Sequence, residues 1–231
     1  MTQPLVIFDL DGTLIHTAPD LMASLNHAIE PVGAEPVHYD DMSFLVGRGA
    51  RVMIQRALEM RERPVSAEEF ETLFDRFLEF YAKSMPGQSA LYPGLDAAMS
   101  RLSDAGMPMA ICTNKLEHLA VRLIESLGLK DSFATILGGD SISVRKPDPE
   151  HILETIRRAN ASSAVMIGDS SNDIVAAREA SVPSIAVTFG YTDIPVEQLG
   201  ADFIIDHYNL LTPELVNRLV DAAKSKNALS A

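Results

Sequence analysis

Long apolar runs are missing from this chain. No stretch of its 231 residues reaches the roughly 20 consecutive apolar residues that a membrane span requires. The apolar run Leu5–Phe8 is too short for a secretory signal, and acids follow it at once. Cysteine is almost absent. The single Cys112 excludes an internal disulfide and suits a reducing compartment. It ends an apolar run, which reads as a small buried residue rather than a nucleophile. Positive charge is scarce as well: 19 Lys and Arg stand against 32 Asp and Glu, a net charge of -13. Such a balance argues against non-specific nucleic-acid binding, which draws on Lys and Arg at phosphates. A small anionic substrate then needs a local cation to offset the field. The six histidines are scattered, with no His-x-x-x-His pair, which argues against a zinc site. No internal repeat or low-complexity segment occurs. The expectation is a cytoplasmic protein with no membrane or nucleic-acid partner, its oligomeric state (monomer or homodimer) left open.

What is present is organised around Leu5-Val6-Ile7-Phe8-Asp9-Leu10-Asp11-Gly12-Thr13-Leu14-Ile15. Apolar residues without alternation suit a strand buried on both faces, as in a parallel sheet under helices. Gly12-Thr13 stops it. In open α/β sheets reactive groups lie just past the carboxyl ends of strands, where Asp9 and Asp11 fall. Residues i and i+2 of a strand share a face, so two carboxylates would crowd one pocket. A lone Asp-x-Asp is more simply read as a turn that ends the sheet; the rest of the chain tips the balance.

Residues 16–84 read as helices alone. Apolar positions at 21, 22, 25, 28 and 29 follow a helical period, and a second helical patch covers 39–62 around Gly47-Arg48-Gly49. Ser66-Ala67-Glu68-Glu69 is a capping-box sequence. It opens a helix whose stripe of Phe70, Leu73, Phe74, Phe77, Leu78 and Tyr81 reads as core rather than binding surface. Met85-Pro86-Gly87-Gln88 reads as a hinge. From there strand and helix alternate, with strands near 108–112, 134–137, 164–167, 184–187 and 203–205. Asp148-Pro149 and Thr212-Pro213-Glu214 open helices, and Lys224–Ala231 is expected to fray. The prediction is a doubly wound parallel α/β sheet formed by residues 1–15 and 86–231, with an all-helical segment, 16–85, inserted after the first strand.

Strand ends then bring polar residues to one edge: Asp9 and Asp11, Thr113-Asn114, Lys146 and the pair Asp169 and Asp173. Two carboxylates at 4 Å repel by ~4 kcal/mol at an effective dielectric of 20. A hard divalent cation removes that cost, and Mg²⁺ prefers few carboxylates plus waters and phosphate oxygens. The pattern therefore points to Mg²⁺-dependent phosphoryl chemistry. Asp9 is the candidate nucleophile and Asp11 the acid and then base. Thr113 holds phosphoryl oxygens at a strand end, Lys146 neutralises developing charge and Asp169 binds metal. Asp173 supports the site from behind, although an acid favouring a helix dipole explains it nearly as well.

In order, Asp9-Leu10-Asp11-Gly12-Thr13-Leu14, Thr113-Asn114-Lys115, Lys146-Pro147-Asp148-Pro149 and Gly168-Asp169-Ser170-x-x-Asp173 resemble the haloacid dehalogenase superfamily of aspartate-dependent phosphatases. The resemblance implies a phosphorylated Asp9, Asp11 as acid/base, and metal held by Asp9, the Asp11 backbone carbonyl and Asp169. It also implies that 16–85 is a helical cap that closes over the site and selects substrate. Family dehalogenases lack the second acid, which Asp11 supplies here. Phosphonate-cleaving members need a cap lysine, and residues 16–82 contain none. Phosphosugar mutases commonly carry valine where Thr13 stands.

Thr17-Ala18-Pro19-Asp20-Leu21, Val46-Gly47-Arg48-Gly49 and Phe189-Gly190-Tyr191 look like the phosphoglycolate phosphatases. That subgroup implies hydrolysis of 2-phosphoglycolate. The alternatives are a broader phosphatase of sugar phosphates or pyrophosphate, a phosphosugar mutase, or a catalytically idle regulatory relative. Gly47 and Arg48 are candidate substrate contacts beside Thr113, Asn114 and Lys146, because a guanidinium (Arg48, with Arg51 as a second candidate) can hold a carboxylate in a fork. An ordinary solvated helix-start residue explains Arg48 equally well. His16 stands where the family usually has an acid, at the expected cap hinge.

Overall fold

The computed structural model describes residues 3–230, with side chains through Ser225. Its centre is β1 (Leu5–Phe8), every residue of which is wholly buried. Val6 and Phe8 pack into one hydrophobic cluster and Leu5 and Ile7 into another. The strand thus separates two apolar layers, as its uninterrupted apolar sequence requires. Around it lie β4 (Met109–Cys112), β5 (Thr135–Leu137), β6 (Ala164–Gly168), β7 (Ser184–Val187) and β8 (Phe203–Ile205). They form one six-stranded sheet in the order β5-β4-β1-β6-β7-β8, parallel at every pairing. The chain leaves β1 towards β4 on one side and later returns to pair β6 on the other. That switch point opens a crevice beyond the carboxyl ends of β1, β4 and β6.

Helices cover the sheet: α5 (Leu95–Asp104), α6 (Glu117–Ser126), α7 (Pro149–Arg158), α8 (Ser171–Glu179) and α9 (Pro213–Ser230). Asp148 caps α7 by accepting from the Glu150 N–H (2.9 Å), with Pro149 in the first turn, as its sequence anticipates. Fraying is expected at Lys224–Ala231; α9 extends to Ser230, and Ala231 lies outside the described residues. No described helix is long and apolar enough to cross a membrane.

Between β1 and the rest of the sheet stand α1 (Ala18–Ile29), α2 (Met42–Leu45), α3 (Ala50–Met60) and α4 (Ala67–Ser84). They share a hydrophobic cluster that includes Leu25, Ile54, Leu73, Phe74, Phe77 and Tyr81. Each large side chain fully buried there contributes roughly 1.5–3 kcal/mol. The Ser66–Glu69 capping box forms in both directions, Glu69 N–H to Ser66 Oγ (3.2 Å) and Ser66 N–H to Glu69 Oε2 (2.8 Å). The single helical patch expected over 39–62 is instead two helices, α2 and α3, separated by a Val46–Gly49 loop. Gly47 and Gly49 adopt φ of +98° and +85°, values that L side chains avoid and a helix cannot contain.

The reading of 16–84 as helices alone also misses a strand end. β2 (Ile15–His16) pairs antiparallel with β3 (Ala90–Leu91), so the two chain crossings to the helical segment form a small ladder. Two residues are too few to reveal a period of two. Beside this ladder the buried Asp20 of α1 pins the returning crossing. Its Oδ1 accepts from the Gln88 N–H (3.0 Å) and its Oδ2 from the Ser89 N–H and hydroxyl (2.8 and 2.5 Å). Asp20→Ala orphans buried donors, each such loss costing about 1–3 kcal/mol. We expect it to lower the unfolding free energy by about 3 kcal/mol, measured by urea denaturation, while Asp75→Ala on the outer face of α4 stays within about 0.5 kcal/mol.

Candidate active site

Three carboxylates meet at the carboxyl edge of the sheet. Asp9 follows β1, and Asp169 and Asp173 follow β6; one oxygen from each lies within 4.8 Å of the others, and all three are buried. The sequence assigns no two of them to one segment except the last pair, so the parallel pairing of β1 with β6 assembles the group. Lys146 holds it together. Its ammonium donates to Asp9 Oδ1 (2.8 Å), Asp173 Oδ1 (2.6 Å) and the Cys112 carbonyl, which uses all three of its protons.

The energetics follow from burial. Desolvation lifts the Asp9 carboxyl to about 6; Lys146 opposes that rise and Asp173 adds to it. Asp169 is also pushed well above the ordinary carboxylate range, first by burial and then by Asp173 and Asp9. For Lys146 burial alone would lower the ammonium, yet Asp173 and Asp9 outweigh it and hold it above the usual lysine value. Burial pushes the Cys112 thiol up to about 11, which agrees with an inert core cysteine.

Each acid is also held by its neighbours. Asp169 accepts from the Thr13 hydroxyl (2.9 Å) and from the Tyr191 N–H (2.6 Å). Close packing makes this possible: a Cβ on Gly12 would lie 2.3 Å from Asp169 Oδ2, and one on Gly190 would lie 2.2 Å from Asp169 Cβ. Asp173 Oδ2 accepts from both the N–H and the hydroxyl of Ser170 (3.0 and 2.7 Å). With Oδ1 on Lys146, both of its oxygens are engaged. Asp173 thus joins the start of α8 to Lys146.

A narrow cavity opens above Asp9, between the sheet edge and the inserted helices. Asp11, Thr113, Asn114 and Gly47 line it, together with Lys115 and apolar side chains of the inserted helices. The Thr113 hydroxyl oxygen accepts from the Lys115 N–H (3.2 Å), leaving its proton for a ligand. Asn114 spends its amide protons elsewhere, on the carbonyls of Gly47 (3.0 Å) and Lys146 (2.9 Å). Asn172 reaches the same Gly47 carbonyl (3.3 Å). The 46–49 loop is thus fastened to the sheet edge through one carbonyl.

Several expectations change on this geometry. Arg48 is exposed and does not line the cavity. It faces Asp193 instead, whose carboxyl burial would raise; hydrogen bonds from Ser171, with Arg48 adding to them, hold it below the usual range. Arg51 pairs with Glu71 (2.7 Å) and lies over the Phe74 ring, 4.0 Å from its centroid. Both guanidinium groups thus serve partners outside the cavity. The stripe of α4 is core, as expected, but Phe77 and Tyr81 line the cavity as well. Sequence reasoning misses Lys115, which stands inside the Thr113-Asn114-Lys115 motif with no role of its own. Its ammonium donates to both oxygens of Asp11 (2.9 and 3.0 Å). It misses Tyr191 in the same way, whose hydroxyl reaches Ala18 N–H (2.9 Å) and His16 Nδ1 (2.8 Å) at the chain crossing to the helical segment. No local pattern flags either residue, since these partners lie 104, 173 and 175 positions away in the chain.

The donor set, buried and all oxygen, fits a hard divalent cation. In the metal-free protein the Asp9 carboxyl titrates near 6 when folded against 3.8 unfolded. A raised carboxyl costs stability above its folded value and nothing below its unfolded value. Asp9→Asn should therefore become more stable relative to the wild type as pH rises from about 4 to 7. Paired urea titrations in chelator across that range check the sign.

Against known proteins, residues 6–187 match the model of the haloacid dehalogenase-like hydrolases. A phosphoglycolate phosphatase of Agrobacterium fabrum is 52% identical over 231 residues, 99% of this chain and 97% of that protein. Another, from Mesorhizobium japonicum, is 46% identical over 96% of this chain and 99% of its own length. Among solved structures, a predicted phosphoglycolate phosphatase of Haemophilus somnus 129PT superposes with a TM-score of 0.84 at 30% identity. It covers 90% of this chain and 96% of its own. The four ordered motifs, the sheet order and these relatives agree: the chain belongs to the haloacid dehalogenase-like hydrolase family.

Proposed function

We propose that this enzyme hydrolyses a small phosphate monoester, 2-phosphoglycolate, to glycolate and orthophosphate with Mg²⁺ and an aspartyl-phosphate intermediate. The observation that carries the reading is the buried Asp9–Asp169–Asp173 group, clamped by Lys146, with Asp9 at the floor of a narrow cavity. Relatives named phosphoglycolate phosphatase support the substrate.

Asp9 attacks phosphorus, forming the Asp9 O–P bond as the bond to the substrate's ester oxygen breaks. Asp11 gives its proton to the departing oxygen, so glycolate leaves as an alcohol. Asp11 then takes a proton from water, whose oxygen attacks phosphorus and releases Asp9 and orthophosphate. Lys146 and the Thr113 hydroxyl hold the charge that builds on the phosphoryl oxygens. Asp173 positions Lys146, and Asn114 positions the loop that carries it. Asp9, Asp169 and the Asp11 backbone carbonyl would hold Mg²⁺, which supplies Lewis-acid polarisation of the phosphoryl group and offsets the carboxylates. The helical segment 16–85 acts as the cap, moving on the β2–β3 ladder; its Gly47 carbonyl docks on Asn114 and Asn172 when closed.

The test is phosphate release from 2-phosphoglycolate beside sugar phosphates and pyrophosphate. With Mg²⁺ we expect kcat/KM for 2-phosphoglycolate at least ~100-fold above the panel, about 2.7 kcal/mol of discrimination. Chelator should abolish turnover, and Asp9→Asn should release no phosphate. A flat profile would overturn the substrate, and Mg²⁺-independent turnover would overturn the metal.

A further inference from the structure

The cavity holds more than a phosphate needs. Lys146 and Thr113 serve the phosphoryl end, and Asp11 stands beside the leaving oxygen. Beyond Asp11 the wall is made of apolar side chains such as Leu21, Leu45, Met53, Phe77 and Leu119. Two polar groups interrupt that wall. Among the described residues Lys115 is the one basic side chain lining the cavity; it is 5% exposed. Two of its protons can serve the Asp11 oxygens, which leaves one. The ammonium lies 4.4 Å from the centroid of the Tyr81 ring. Burial alone would lower it, but Asp11 and Tyr81 keep it firmly charged.

Tyr81 is the second group. Its side chain is wholly buried, and its hydroxyl proton finds no acceptor, because the Lys115 ammonium beside it can only donate. Burial holds the phenol up at about 12, so it stays a donor at neutral pH. An orphaned buried hydroxyl costs about 1–3 kcal/mol. That cost disappears if a ligand supplies an acceptor.

Resting on the phosphoglycolate reading above, we infer that Lys115 and the Tyr81 hydroxyl form the subsite for the anionic end of the substrate's leaving group. A carboxylate accepts one hydrogen bond from the spare Lys115 proton and one from Tyr81. The ammonium then lies between the incoming carboxylate and the Asp11 side chain. Lys115 comes from the sheet edge and Tyr81 from α4, so the subsite is complete only with the helical segment against the sheet. The cationic role that the sequence suggested for Arg48 passes to Lys115, because Arg48 does not reach the cavity.

Ethyl phosphate carries a methyl group where 2-phosphoglycolate carries its carboxylate, which makes the pair a direct probe. The quantity to read is the ratio of kcat/KM for 2-phosphoglycolate to that for ethyl phosphate. Lys115→Met should lower this ratio about 100-fold, while inhibition by orthophosphate changes by less than about threefold and so reports an intact phosphoryl site. Lys115→Arg should restore part of the ratio. Tyr81→Phe, which removes only the hydroxyl, should lower it about 10-fold and decides the question if Lys115→Met does not fold. Equal losses on both substrates would show that Lys115 acts only through Asp11 and overturn the subsite. An unchanged ratio would overturn it too. A wild-type enzyme that does not prefer 2-phosphoglycolate to ethyl phosphate fails differently: it sinks the substrate reading itself.

Discussion

One ammonium holds the centre of this protein. Lys146 sits among Asp9, Asp173 and the Cys112 carbonyl with no proton to spare, and without it three buried carboxylates would face one another in a dry crevice. A lone like-charge pair at such distances costs several kcal/mol, comparable with half the stability of an ordinary domain. The fold accepts that burden at the carboxyl edge of β1, where the strands leave their last residues open to a ligand. Elsewhere apolar layers seal the sheet. The cost is local because the surrounding geometry is over-determined: Gly12 and Gly190 let backbone approach Asp169 closely, and Thr13, Tyr191 and Ser170 donate to the acids behind Lys146. The charge distribution, rather than any single residue, prepares the crevice for a cation and a phosphoryl group.

The same contacts tie the site to the inserted helices. Tyr191 donates its backbone N–H to Asp169 and engages Ala18 and His16, at the crossing to the helical segment, through its hydroxyl. Asp20 pins the returning crossing at Ser89, and the Gly47 carbonyl is held from the sheet side by two asparagines. Position at the clustered acids and position at the crossing to the helical segment are therefore coupled by a chain of short hydrogen bonds. His16, which departs from the family's usual acid, fits this arrangement: burial holds its imidazole below the ordinary value, against the pull of Asp20, and a neutral ring can accept from the Tyr191 hydroxyl. An acid there would make a different bond to the same tyrosine.

Much of this is readable in the sequence, for a physical reason. Parallel strands buried on both faces leave continuous apolar runs, so β1, β4 and β6 stand out, and with them the strand ends that carry Asp9, Thr113 and Asp169. Helix starts at Ser66 and Asp148 are equally plain, because caps are local chemistry. What stays hidden is long-range or short. The β2–β3 ladder has two residues a side. The division into two helices at Gly47–Gly49 depends on backbone angles that a glycine permits but does not announce. Arg48 looks useful because a guanidinium suits a carboxylate, but the direction of a side chain on a loop is set by packing that one sequence does not encode locally. Lys115 escapes for the mirror reason: inside a recognised motif it raises no separate question, and its partners, Asp11 and Tyr81, lie far away in the chain.

Charge makes the overlooked residue matter. At a net charge of -13 the protein repels an anion approaching through solvent, but screening at physiological salt confines that repulsion to about 8 Å from exposed charges. Within the cavity the balance is reversed. There a buried ammonium, Lys115, lines the wall and a second, Lys146, sits behind Asp9, and hydrogen bonds to charged groups in such a place are worth about twice those between neutral ones. Most of the surface lysines and arginines that are paired, such as Arg51, Lys83 and Arg157, spend their charge on exposed carboxylates, where an ion pair contributes about 1 kcal/mol or less. Selection by such a protein cannot come from its overall field, which opposes the substrate. It has to come from the few cations that the fold removes from water, and their spacing then sets the length of the anion that fits.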